Sequence, residues 1–144
     1  MKKLLLLASA SLVFATTYAS ASWINPSRTI CTANGGRLAP DGVCEANWRN
    51  ATRICSATNA RLPKRSELRK VVTDCGGVFN DEDNNKNDTY YQSCYSDAGF
   101  YSSNYYWSSM TDTSLNNYAW IVYFKYGYDS NYNKGGINYV VCIK

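Results

Sequence analysis

Residues 45–77 read EANWRNATRICSATNARLPKRSELRKVVTDCGG, and their spacing sets the fold class. From Glu45 to Asn59, Trp48, Ala51 or Thr52, Cys55 and Thr58 recur at helical intervals with polar residues between them. That is the pattern of an amphipathic helix with one inward face. Pro63 breaks the run, because its ring fixes φ and removes a backbone donor. A second helix is expected from about Arg65 to Asp74, with Leu68, Val71 and Val72 as its inward stripe and Gly76 and Gly77 ending it.

Beyond Gly77 the helix formers thin out. FNDEDNNKND, residues 79–88, reads as a solvated loop. In YAWIVYF, residues 118–124, alternation assigns Trp120, Val122 and Phe124 to a core and turns Ile121, Tyr123 and Lys125 outward. Gly127 and the run NKGG, Asn133 to Gly136, signal turns before a last strand, INYVVCIK, so a terminal hairpin with a long connection is expected. Two helices early and strands late make an α+β domain.

The chain opens with MKKLLLLASASLVFATTYASA, in which Lys2 and Lys3 precede an apolar run from Leu4 to Phe14 and Ala19, Ser20 and Ala21 form an Ala-x-Ala site. This is the pattern of a secretory signal peptide over residues 1–21, cleaved before Ser22. The run is shorter than the roughly 20 apolar residues of a membrane-spanning helix, and no later segment is a candidate. A lipid anchor would need a Cys after the cleavage site, and the first is Cys31. The expectation is one domain over 22–144, secreted, periplasmic or at the cell surface.

All six cysteines follow the cleavage site, which in an oxidising compartment points to three disulfides, with fifteen pairings open. No Cys-x-x-Cys pair occurs and the chain has no His. A thiol oxidoreductase, a zinc site and His-dependent nucleophilic catalysis are therefore disfavoured, and a non-enzymatic protein without cofactor or metal is expected. The net charge of +4 falls to +2 without Lys2 and Lys3, too little to suggest nucleic acid. Charge is uneven, however: nine basic and four acidic residues lie between Ser22 and Gly77, against four and seven in the remainder.

The run NWRNATRICSATNARLPKRSELRKV, then YWSS, NYAWIVYFKYG and YVVCIK, resembles the C-terminal domain of a bacterial collagen-like adhesin, the Lcl C-terminal domain family, over roughly Cys31 to Lys144. The resemblance implies a C-type lectin-like fold, related to formylglycine-generating enzymes: two helices packed on a twisted antiparallel sheet with long loops, stapled by disulfides. It implies the pairs Cys55 with Cys142, Cys31 with Cys44 closing an N-terminal hairpin, and Cys75 with Cys94. It also implies Trp107 in the core. Two positions depart from the family pattern. Lys64 replaces a common Thr and cannot complete a capping box with Glu67, and Val141 replaces an Arg expected to face outward.

Three groups of residues are candidate sites. Arg61, Lys64, Arg65, Arg69 and Lys70 around the second helix could face a polyanion; the resemblance implies sulfated glycans. Asp81, Glu82, Asp83 and Asp88 offer oxygen atoms but lack the Gly-containing spacing of a calcium loop, so no metal is assigned. Twelve of the thirteen tyrosines lie after residue 89, interleaved with Asn and Ser. Antibody paratopes use that mixture, because Tyr gives a large amphipathic contact at low entropy cost. Tyr101, Asn104, Tyr105, Tyr123, Tyr126, Tyr128 and Tyr132 are the candidate contacts, with Tyr126, Tyr128 and Tyr132 in a turn. The expected function is adhesin-like or lectin-like binding of a surface glycan or protein. The alternatives are a structural or self-assembling module, a possible homo-oligomer, and a receptor diversified by a retroelement that converts Asn codons to Tyr, Ser and Asp.

Overall fold

A computed structural model describes residues 21–144; residues 1–20 of the expected signal peptide lie outside them. The described elements are, in chain order, β1 (Trp23–Ile24), α1 (Arg28–Ala33), β2 (Arg37–Leu38), β3 (Cys44–Ala46), α2 (Trp48–Ala57), α3 (Arg65–Asp74), α4 (Glu82–Asn87), α5 (Thr89–Asp97), β4 (Tyr106–Thr111), β5 (Tyr118–Tyr123), β6 (Tyr128–Asn133), β7 (Asn138–Tyr139) and β8 (Cys142–Ile143). The α+β class and the bounds of α3 agree with the sequence reading. Local side chains explain several helix starts. Ser27 accepts the Ile30 N–H, Asn47 the Asn50 N–H, and Asp88 the N–H groups of Tyr90 and Tyr91. At α3, Lys64 supplies no acceptor, yet Glu67 returns half of the capping box by accepting the Lys64 N–H at 2.6 Å.

FNDEDNNKND corrects the loop expectation. It contains α4 and the cap of α5, and Asn85 within it is buried. The polar composition concealed a helix whose one inward side chain is itself polar. Asn85 Oδ1 accepts the Val78 N–H at 2.9 Å, and its Nδ2 donates to the carbonyls of Val78 at 2.7 Å and Tyr126 at 2.9 Å. Burial is tolerated because these bonds are made.

The main sheet has the order β2-β3-β7-β4-β5-β6, and β1 pairs separately with β8. It is mixed rather than wholly antiparallel, since β4 and β7 run parallel. The expected last strand is two: β7 enters the sheet between β3 and β4, and β8 leaves it to pair with β1. The hairpin is β5–β6, in unbroken register from Tyr118↔Asn133 to Tyr123↔Tyr128. Tyr128 and Tyr132 are therefore strand residues, not turn residues.

Helices cover both faces of this sheet. On one, Leu68 and Val72 of α3 and Tyr91 and Tyr95 of α5 pack on Tyr106, Val122 and Phe124. On the other, Ala51, Ile54 and Cys55 of α2 pack on Trp107, Ala119, Ile121 and Val140. Alternation along β5 thus sorts residues between two cores rather than between core and water. Hence Ile121, expected outside, is buried, while Trp120 is half-buried at the rim of the α3 face. Val141 is also buried, in the α3-side core, so the missing Arg leaves no exposed apolar group.

All three implied disulfides form: Cys31–Cys44, Cys55–Cys142 and Cys75–Cys94. The first joins α1 to β3 rather than closing a hairpin of strands. The second ties α2 to β8, which with the Trp23↔Ile143 pairing holds the two ends of the described chain together. Among the described residues no helix is long and apolar enough to cross a membrane. Three disulfides fit a secreted or extracellular protein.

Candidate functional site

The tyrosines converge on the α2 side of the sheet, toward its β6 edge. Residues paired across strands share a face, so Tyr123 lies beside Tyr128, Ile121 beside Ser130 and Ala119 beside Tyr132. α2 packs against β3 and β4; farther out, this face is lined by tyrosine. Tyr105, just before β4, bridges the group: its ring centroid is 4.7 Å from Tyr123 and 5.9 Å from Tyr132. Tyr126 is 5.1 Å from Tyr123, and Tyr128 is 5.9 Å from it. Tyr132 continues inward to the buried Trp107 at 6.2 Å. Five of the seven candidate contacts are thus one connected cluster.

These rings meet mostly edge to face, at 73° for Tyr105–Tyr123, 69° for Tyr123–Tyr126 and 80° for Tyr123–Tyr128. Such packing is favourable for quadrupolar rings, and it leaves a corrugated surface instead of one flat platform. Tyr105, Tyr123, Tyr126 and Tyr128 are half-buried and Tyr132 is exposed. Each ring is stiffened by a neighbour, which lowers the entropy lost on contact with a ligand. Burial raises the Tyr123 phenol above its usual range, and burial together with the Tyr105 hydroxyl raises that of Tyr128. These two phenols stay neutral at physiological pH and offer hydroxyl donors and acceptors.

The other two candidates have different roles. Asn104 Oδ1 accepts the Tyr105 N–H at 2.8 Å and its Nδ2 reaches the Ile137 carbonyl at 3.5 Å, so it positions Tyr105 against the β6–β7 connection. Tyr101 is exposed but lies at a separate small cleft with Asn25, Gly42 and Val140. Trp107 is fully buried and donates from Nε1 to the Ala46 carbonyl at 2.8 Å, and Ser108 beside it is buried too. Two contributors were not anticipated. Ser130 is exposed in the middle of the face. Gly136 lies under Tyr132, where a Cβ would stand 2.2 Å from the ring. The only sequence signal for either was the turn composition around them.

The family model for the Lcl C-terminal domain matches residues 16–144. The chain belongs to the Lcl C-terminal domain family. No curated protein matches it.

In this Lcl C-terminal domain most of the basic residues in and just before α3 are paired. Arg61 bonds Glu67 through both terminal nitrogens, at 2.9 and 2.8 Å, and Lys70 bonds Asp74. Arg65 and Arg69 share Asp129, and Arg65 also lies 3.5 Å from the centroid of the Trp120 ring. Lys64 alone of the five has no ion pair among the described residues. Arg65, Ser66, Arg69, Lys70, Thr73 and Met110 line an open groove of about 440 Å³. Much of its positive charge is already balanced. Among the described residues no His, Cys, Asp and Glu cluster is arranged to hold a metal ion.

Proposed function

We propose that this Lcl C-terminal domain is an exported, non-enzymatic binding module of lectin-like fold that engages a surface glycan or protein through its tyrosine face. The observation that carries this is the connected cluster Tyr105, Tyr123, Tyr126, Tyr128 and Tyr132, on the part of the sheet that turns toward solvent at the β6 edge. Rigid aromatic rings with neutral hydroxyls suit adaptable recognition of either ligand class. The corrugated edge-to-face packing favours an irregular protein epitope over a sugar ring that needs a flat platform. A signal peptide removed before Ser22 would deliver the domain to the oxidising compartment that its disulfides suit.

The groove at Arg65 and Arg69 is the weaker candidate for a polyanion, because the shared Asp129 carboxylate offsets one of their two charges and Asp74 pairs with the neighbouring Lys70. The concentration of Tyr, Asn and Ser in the C-terminal segment is also what retroelement diversification would leave. A template repeat of the coding segment beside a reverse-transcriptase gene would support that origin.

The test is binding to a glycan array and to intact cells, with and without calcium, by the parent and by Y105S/Y132S. Loss of at least tenfold in retained signal, with unchanged circular dichroism, is expected. Binding unaffected by the double substitution would overturn the assignment to this face.

A further inference from the structure

We propose that β6 is a docking edge for a second copy of this chain, the two strands pairing antiparallel about a two-fold axis through Ser130. β6 ends the main sheet, six residues long, in continuous register with β5 and without a bulge. Exposed edges are ordinarily blunted by shortness, Pro, Lys or a bulge. The opposite edge obeys this, since β2 has two residues. β6 reads YDSNYN, with no Pro, Lys or bulge. Its one charged side chain, Asp129, points inward on the α3 face at 7% exposure, but Arg65 and Arg69 already meet that charge, so it does not repel a second strand.

The hydrogen-bond phase shows which groups are free. The Lys134 N–H donates to the Asn117 carbonyl on the β5 side, and Tyr118 accepts from Asp112 on the β4 side. In an antiparallel ladder the direction alternates, so Tyr128, Ser130 and Tyr132 bond to β5, while Asp129 and Asn131 direct N–H and C=O away from the sheet. Among the described residues neither has a backbone partner there. The edge stops after Tyr132, because the Asn133 carbonyl accepts the Gly136 N–H at 2.8 Å and turns the chain.

The free stretch Tyr128-Asp129-Ser130-Asn131-Tyr132 is a chemical palindrome, with Asp and Asn as near-isosteres. An isologous interface requires that property, because each residue must face its own symmetry counterpart. Centred on Ser130, the pairing sets Asp129 opposite Asn131 of the second copy, so the outward groups meet and exchange both hydrogen bonds. Tyr128 then faces Tyr132 of the second copy at each end, an aromatic cross-strand pair. No like charges oppose each other. Both tyrosine faces lie on the same side, so two clusters merge into one surface. So short an interface makes a weak, concentration-dependent dimer. The proposal does not depend on what the tyrosine face binds.

The experiment is sedimentation velocity on the exported chain at concentrations from micromolar to millimolar, with oxidative cross-linking of S130C. At the two-fold axis the Ser130 Cα atoms form a non-hydrogen-bonded pair about 4.5 Å apart, within the range that a disulfide spans. We expect S130C to give a disulfide-linked dimer with the three native disulfides intact, at least tenfold faster than N116C in an exposed loop. We expect N131P, which removes an outward donor and no β5 bond, to weaken the parent's self-association at least tenfold, and S130K to abolish it. A parent that stays monomeric at millimolar concentration, with S130C cross-linking no faster than N116C, overturns the proposal. Self-association that survives N131P and S130K also overturns it, by placing the contact elsewhere.

Discussion

Arg65 lies over the ring of Trp120, its Cζ 3.5 Å from the centroid, while its Nε–H bonds the carboxylate of Asp129, so one guanidinium fastens helix α3 to the outer hairpin. Asp129 sits on the reverse of the strand that presents Tyr128, Ser130 and Tyr132. The clamp therefore holds the tyrosine face from behind.

Removing that carboxylate should loosen the hairpin. D129A leaves Arg65, whose side chain is 25% exposed, without its anion, and a cost of about 2 kcal/mol is expected. D129N keeps an acceptor and should cost less. Urea unfolding of both variants checks the order, and equal stability of D129A and the parent would refute the clamp.

The disulfides should contribute unequally. Cys55–Cys142 spans a sequence separation of 87, against 13 for Cys31–Cys44. The chain-entropy account gives about 4.5 kcal/mol for the long loop and about 3 for the short one. C55A/C142A is expected to have the lower urea midpoint of the two double variants.

Asn85 should be worth more than an ordinary surface Asn, because it bonds both the N–H and the carbonyl of Val78 and the carbonyl of Tyr126. N85A should cost about 2 to 4 kcal/mol, since it strands partly buried backbone groups. G127A should also destabilise, as φ is +64° there and a Cβ would lie 2.4 Å from Asn85 Nδ2. Thermal unfolding measures both.

Stability should fall at both pH extremes. Burial, with neighbouring groups, raises the phenols of Tyr91, Tyr95, Tyr106 and Tyr139 above the unfolded value of about 10. Their contribution is complete below that pH and is lost as pH rises through the folded values. Phenolate absorbance should therefore show these four ionising together with unfolding. In acid the signs reverse. Arg61 holds the Glu67 carboxyl low, and Asn131 and the Ser114 N–H hold Asp112 low. Stability present above the unfolded carboxylate range of about 4 is lost as pH falls through their folded values.

The α+β class, the span of α3, the pairing of the cysteines into disulfides and the family were all legible in the sequence. Those follow from local periodicity, from punctuation by Pro63 and Gly76, and from motifs kept in order along the chain. Through the family resemblance it also supplied the disulfide pairing and the burial of Trp107. Tertiary structure decided what local pattern cannot carry. Ile121 is buried although alternation turned it outward, because a strand covered on both faces has no solvent side to alternate with. FNDEDNNKND became a helix because the bonds holding Asn85 inside come from Val78 and from Tyr126, 41 residues onward. The tyrosines were legible as a composition but not as a site. Register across β5 and β6 gathers Tyr123, Tyr128 and Tyr132 with Tyr105, and leaves Tyr101 at another cleft, since pairing between distant strands chooses which rings share a face.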